Sequence, residues 1–582
     1  MRVLKAYIVV ICLFVTGIII STQRSIATSY ELSIYSATPM ITWLLIGALL
    51  ISGIIGAIIS ANHTIRIVSI IALLSGIVLF VSIPLLRGYF FHGNADPLTH
   101  LGWARQISDG SIEPTGLLYP YLHILTAVLS SVSGLSERTI LLSIMAFPVV
   151  LWLLFSGILV RELIPQEGSF AVGVASAALL LPLQPVSGWI RPHTTTVTMF
   201  LLPFGIWCYL QMSISRNAYK IITPLVTGAI LLYHPQQALN LLIIVLSIGL
   251  VSWITSNRYQ TSLQLHTTQF TLALGIAFSM WVFSSDQFTN AFRGLMARLI
   301  LGVGADQTQV RGASLEEVGR SLTEIGLRIG GRYLLFGGLV LIGVVYAYQR
   351  RDILTIGVAL SMVPLTLMIA VFAIAGRVNQ YTRYMGFVAL VATLIGAVGA
   401  IYLLSEISLS RERLVRVSLA ALFCTILLLS LPVAYPSPYI QQAGGHVTES
   451  QYAGYTSAFE YSDRSYPFIQ VRTPVERVVD AEYGQADREP IQYDRSIEGT
   501  PTVPDNFNDQ ELHTAYDGNR YLLVADSDYA REISLHKELR WTEDDFEYLN
   551  RSPHIDRVRD SGGAELYIVR AENPDPSDEG RG

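Results

Sequence analysis

"LYPYLHILTAVLSSVSG", residues 118–134, is apolar enough to be weighed as a membrane span, yet short and interrupted for one. Whether it crosses decides the topology of everything around it. In membrane proteins, Lys and Arg in short loops are retained on the cytoplasmic side. Arg216 with Lys220, Arg258, "YQRRD" at 348–352 and "SRERLVR" at 410–416 fall on one side of an alternating pattern, which makes that side cytoplasmic. With Arg2 and Lys5 also inside, the pattern closes only if 118–134 does not cross; otherwise "VRELIPQEG" at 160–168 or the amino terminus changes sides. The stretch is therefore expected to be juxtamembrane or re-entrant on the outer face, where irregular backbone is tolerated if protein buries it.

Working outward, many runs of about 20 apolar residues, the length that crosses a bilayer core, give the chain its mean hydropathy of +0.46. Of its 582 residues, 51% are hydrophobic and 14% charged. About thirteen transmembrane helices are predicted, from 5–22 to 412–433 and including 169–186 and 219–233. The fold class is an α-helical multi-pass membrane protein with a small C-terminal external α/β domain. The first span, "AYIVVICLFVTGIIIST", lacks a convincing cleavage site and is read as a membrane helix. Residues 1–433 form the membrane domain, with 87–136 and 286–331 as long external loops; residues 434–582 form the external domain.

Charge divides along the same line. Residues 434–582 hold 29 acidic against 14 basic side chains, whereas the remainder holds 15 against 25. Lysine occurs only at positions 5, 220 and 537. An acidic, lysine-poor tail suggests an archaeal, halophilic source, and nucleic acid is not an expected partner. Cys12, Cys208 and Cys424 sit in apolar runs and read as small buried hydrophobes.

Polar chemistry collects in the outer loops. In "FFHGNADPLTHLGWARQISDG", residues 90–110, Asp96 precedes Pro97, a helix-start signal, so "PLTHLGWARQI" is predicted to be a short helix with Trp103 at the membrane interface. Asp96 thus has two readings, a helix cap or a reactive carboxylate. Asp109 reads as a turn residue. His92 and His100 accompany Asp96, and no third ligand at metal spacing joins them. Arg87, Arg191, Arg377 and Arg383 lie in or beside outer loops, where the topology rule would remove them, most tellingly the three in short loops, Arg191, Arg377 and Arg383. Either they anchor lipid headgroups, or, converging with Asp96, they bind an anionic phosphate through paired, charge-assisted hydrogen bonds. In the second long loop, "FTNAFRGLMARLI" at 288–300 has helical spacing suited to lying on the bilayer, and the glycine-containing "GVGADQTQVRGAS" follows.

This order of parts resembles the GT-C superfamily of integral-membrane glycosyltransferases: a span, an external loop with an acidic residue before a juxtamembrane helix ("GNADPLTHLGWARQISDG"), a "YPYLHIL" segment, a helical core and a soluble tail. The resemblance implies a polyprenyl- or dolichyl-phosphate-linked sugar donor, a glycan, protein or lipid acceptor, and transfer outside the cytoplasm. It implies Asp96 as catalytic base, with His92 and His100 supporting. It implies Arg377 and Arg383, with Arg191 and His193, as the lipid-phosphate site. One carboxylate suffices because a phosphate leaves as a stable anion, unlike the glycosidase pair.

There are departures. "GWIRPHTTT" at 188–196 lacks the second acidic residue of many relatives, which leaves divalent metal unsupported; no cofactor is predicted. No Trp-Trp-Asp triplet occurs, which favours transfer of a single sugar, such as mannose in cell-surface glycosylation, over transfer of a whole glycan. The alternative is a transporter or flippase of lipid-linked or anionic substrates, which would place ionisable groups near the bilayer midplane. In the tail, "RYLLVAD" is predicted as a strand, "YAREISLHKEL" as a helix and "IDRVRDSGGAELYIVR" as a hairpin. A multi-pass cell-membrane location with the amino terminus cytoplasmic and the C-terminal domain outside completes the expectation.

Overall fold

A computed structural model describes residues 2–183, 188–213, 217–259, 265–301, 321–375, 378–406, 409–484, 491–495 and 501–572. Among these, ten helices are long and apolar enough to cross a membrane, from Lys5–Gln23 to Glu412–Val433. A further pair, Thr268–Phe283 and Phe288–Ala297, is bent by 91° and would make eleven if it is one span. The difference from about thirteen lies mainly in two segments. The helix in 169–186 ends at Ala177, before Leu180 turns to positive φ (54°) and Pro182 follows. The second, Tyr219–Tyr233, has only 15 residues.

The helix that decides the topology is short. Tyr121–Ser133 has 13 residues, begins after Pro120 and ends on left-handed Gly134 (φ 71°). At 1.5 Å per residue it spans roughly 20 Å, against a hydrocarbon core of about 30 Å. The loop preceding it carries strand β1 (Phe91–His92) and helix α1 (Asp96–Asp109); Tyr121–Ser133 is α2. Two spanning helices matter below: α3 (Thr194–Ser213) and α4 (Val378–Glu406). The apolar stretch in the second long loop forms the helix Asp286–Leu301, while "GVGADQTQVRGAS" lies outside the described residues.

Beyond the last span, strand β2 (His446–Val447) pairs antiparallel with β1, Phe91 opposite Val447 and His92 opposite His446. The Gly93 N–H donates to the Gly445 carbonyl at 2.6 Å, and the Gly444 N–H to the Leu32 carbonyl at 2.8 Å. The C-terminal domain is thereby stitched to two loops of the helical part. Its sheet contains β3 (Phe468–Gln470), β4 (Arg520–Ala525), β5 (Ile555–Asp560) and β6 (Ala564–Val569). Spatial order is β3-β4-β6-β5, with β3 parallel to β4 and the other pairs antiparallel. Helix α5 (Val475–Tyr483) follows β3, and a core around Leu522, Trp541, Leu549 and Tyr567 covers one face. The predicted strand and the hairpin about Gly562 are present. The predicted helix after β4 is a short α-turn followed by a π-helical turn, Ala530–Leu535.

Candidate active site

Helix α1 starts where the sequence signals it, but the cap is not Asp96. Ala95 occupies the capping position and supplies no side-chain cap bond. Asp96 is the first helical residue, close to the positive end of the helix dipole, which favours its ionised form. Its Oδ2 lies 3.6 Å from His193 Nε2 and its Oδ1 3.2 Å from Arg477 Nη2. The carboxylate stays about two-fifths exposed, so it remains open to a ligand. The His193 imidazole in particular, with help from Arg477 and against the effect of burial, holds this carboxyl well below the usual carboxylate range.

His193 precedes α3. The Thr195 N–H donates to its Nδ1 at 3.2 Å, which assigns the proton to Nε2, the atom facing Asp96. Burial pushes the imidazole down to about 4, partly opposed by Asp96, so at neutral pH it is an uncharged donor. His100 lies edge-on to it with ring centroids 5.7 Å apart. His100 Nδ1 sits 3.0 Å from His123 Nε2 on α2. The "YPYLHIL" segment therefore walls the site: it also supplies Tyr119, 6.1 Å from His100 and stacked on His234 at 5.7 Å. His100 thus joins His193 on one side and His123 on the other.

The arginines separate into two kinds. Arg191 and Arg383 both lie against Trp189, their guanidinium carbons 4.7 and 5.5 Å from its ring centroid. The Trp189 N–H is fixed by the Thr196 hydroxyl at 3.0 Å. The Nε of each arginine is buried without a hydrogen-bond partner. Burial pushes Arg191 down to about 10, with Asp96 raising it and Arg383 lowering it, so all three charges sense one another. Arg87 shares the unpartnered Nε but is otherwise different: its terminal nitrogens are taken by an ion pair with Glu31 and by the Thr38 hydroxyl at 2.9 Å, and Tyr89 binds the other Glu31 oxygen. Arg377 lies outside the described residues.

His92 borders the site on the side of Arg191, whose charge it senses. It sits in the β1–β2 ladder with its ring 5.9 Å from both Tyr89 and Tyr435, and burial pushes it down to about 3. Its place is in the seam between the two parts of the protein. Arg477 was invisible to sequence reasoning: it is 381 residues from Asp96, and "RTPVERVVDAEYG" carries no signal tying it to the loop that holds Asp96. Among the described residues, no three His, Cys, Asp or Glu side chains converge as a metal ion would require.

No family model and no curated protein matches the chain. Solved structures do. The Archaeoglobus fulgidus oligosaccharyltransferase, in a crystal structure with Zn and sulfate, is 13% identical over 82% of this chain and 70% of its own, with a TM-score of 0.47. ArnT from Cupriavidus metallidurans, bound to undecaprenyl phosphate, is 15% identical over 88% of this chain and all of its own, at 0.44. The archaeal oligosaccharyltransferase AglB from A. fulgidus, with an inhibitory peptide and a dolichol-phosphate, is 12% identical over 86% and 74%, at 0.49.

Proposed function

We propose that the protein is a membrane glycosyltransferase of the GT-C kind, transferring one sugar from a polyprenyl- or dolichyl-phosphate donor to an acceptor hydroxyl at the extracytoplasmic face. The observation that carries this reading is the pair of half-buried guanidiniums at Trp189, neither with a carboxylate partner among the described residues, beside the exposed carboxylate of Asp96. Taking a cation partly out of water without a counter-charge is costly, and a phosphate would satisfy both. The acidic group and the phosphate-binding groups then flank the place where an anomeric carbon would sit.

In this reading the acceptor oxygen attacks the anomeric carbon while Asp96 removes its proton. The bond from that carbon to the phosphate oxygen breaks, and its electron pair leaves with the phosphate. Arg191 and Arg383 stabilise the charge that grows there. His193, neutral with its Nε2–H toward Asp96, keeps the carboxylate ionised and oriented. A dolichyl-phosphate-mannose donor and a glycan acceptor in cell-surface glycosylation fit this scheme, with the amino terminus in the cytoplasm.

Asp96→Asn tests the assignment directly. In membranes supplied with a dolichyl-phosphate sugar, the parent protein should transfer the sugar and the Asn variant should not, at equal protein level. Transfer by D96N at the parent rate would rule the assignment out, and would leave the transporter reading in its place.

A further inference from the structure

We infer that Arg477, on the external domain, is a positioning residue for Asp96, so that membrane part and external domain build one active site between them. The inference rests on the reading of Asp96 as the base.

The contact is a closed set of four side chains across two helices. On α1, Asp96 and Thr99 are three residues apart and share a face; on α5, Arg477 and Asp480 have the same spacing. Arg477 Nη2 meets Asp96 Oδ1 at 3.2 Å while its Nη1 donates to the Thr99 hydroxyl at 2.9 Å. That hydroxyl donates in turn to buried Asp480 Oδ2 at 2.7 Å, and Asp480 lies 3.8 Å from Arg477 Nη1. One guanidinium fork thus spans the carboxylate and the hydroxyl one turn below it, a geometry that an ammonium cannot copy.

The backbone is shaped for this contact. At Gly102 a Cβ would fall inside the van der Waals shell of the Asp480 carbonyl oxygen, so α1 and α5 touch main chain to main chain there. Arg105 Nη1 closes the next turn, donating to the Ala481 carbonyl at 2.7 Å and the Tyr452 hydroxyl at 3.0 Å. The start of α5 is held from the other side. Thr473, between β3 and α5, donates to Asp528 Oδ1 at 2.6 Å and lies 2.9 Å from the Ser527 hydroxyl, both just past β4. The sheet of the external domain therefore fixes where Arg477 stands.

With Oδ1 on Arg477 and Oδ2 toward His193, the plane of the Asp96 carboxylate is set, and each oxygen keeps lone-pair capacity for an incoming hydroxyl. Arg477 is about one-third exposed and, unlike the arginines on Trp189, already has carboxylate partners in Asp96 and Asp480. It accordingly orients the base rather than holding the phosphate.

Arg477→Gln, Arg477→Lys and Gly102→Ala, assayed in membranes with a dolichyl-phosphate sugar as donor, test this. R477Q should lower kcat by about 10- to 100-fold, the cost of a small misplacement at a reacting centre, with donor KM within about twofold. Its acid limb of kcat/KM should move to higher pH, because Asp96 loses a neighbouring cation. R477K should restore the acid limb but only part of kcat. G102A, which alters no charge, should lower kcat by pushing α5 away. A purely structural role would reduce folded protein while leaving kcat per folded molecule and the acid limb in place, and that outcome overturns the inference. So does an R477Q variant at the parent kcat. The base assignment fails separately: if D96N is active, that reading falls, whereas an inactive D96N beside a fully active R477Q removes only the role of Arg477.

Discussion

Arg87 and Arg191 look alike in the sequence, two arginines in or beside loops that the charge pattern reads as outer, where the topology rule should have removed them. The protein treats them in opposite ways. Arg87 is buried with its two terminal nitrogens on Glu31 and Thr38, so that only its Nε lacks a partner. Arg191 is wedged against Trp189 beside Arg383, and among the described residues no carboxylate pairs with either guanidinium. A buried charge whose terminal nitrogens the protein answers itself belongs to the architecture; in the function proposed above, the guanidiniums left without such partners beside an exposed carboxylate are the ones that meet the phosphate.

The comparison presupposes that Asp96 does chemistry, so D96N has the largest expected effect. It should lower sugar transfer by about 10²- to 10⁴-fold, the range for losing a general base, with a small loss of thermal stability because the ionised carboxylate is held by His193 and Arg477. Next comes Arg87→Ala. Breaking a buried pair from one side costs about 3–5 kcal/mol, so the unfolding midpoint in detergent should fall while donor KM per folded molecule stays put. Arg191→Ala and Arg383→Ala should do the reverse. Each should raise donor KM by about 10- to 100-fold, the worth of a charged hydrogen bond of about 1.5–3 kcal/mol, with the midpoint unchanged or higher because an unpartnered charge is gone. If R87A raises KM and R191A lowers the midpoint instead, the two classes have been assigned backwards.

Much of this was legible. Hydropathy carries the membrane class because apolar length is a one-dimensional property, and the charge pattern singled out 118–134, where α2 is indeed too short to span by itself. Pro97 marked the start of α1 to within one residue. Chain-distant pairing was not legible. Nothing local announces that Glu31 answers Arg87, that a two-residue ladder ties His92 to His446, or that Arg477 returns to Asp96. Hydropathy also overcounted helices, because it registers apolar composition at 169–186 but not the break at Leu180.

The smallest expected effect concerns the histidines, which also divide between seam and site yet share one electrostatic fate. Burial pushes His92 and His446 in the seam down to about 3 and His193 in the site down to about 4, against about 6.5 for a free imidazole. Below about 6.5 the unfolded chain takes up protons that the folded chain refuses, so stability is full above that pH and declines as pH falls toward 4. Each group contributes at most about 1.4 kcal/mol per pH unit. Asp96 adds nothing to this window, since it is ionised there both folded and unfolded. Buried Asp528, pushed up to about 6, works the other way and offsets one of the three below that pH. Unfolding midpoints of the parent and of His193→Gln at pH 7.5 and 5 isolate one group: the variant should lose less on acidification. An equal loss in both would mean that His193 takes up its proton in the folded protein over the same range as in the unfolded chain, and burial would not be what keeps the donor to Asp96 neutral.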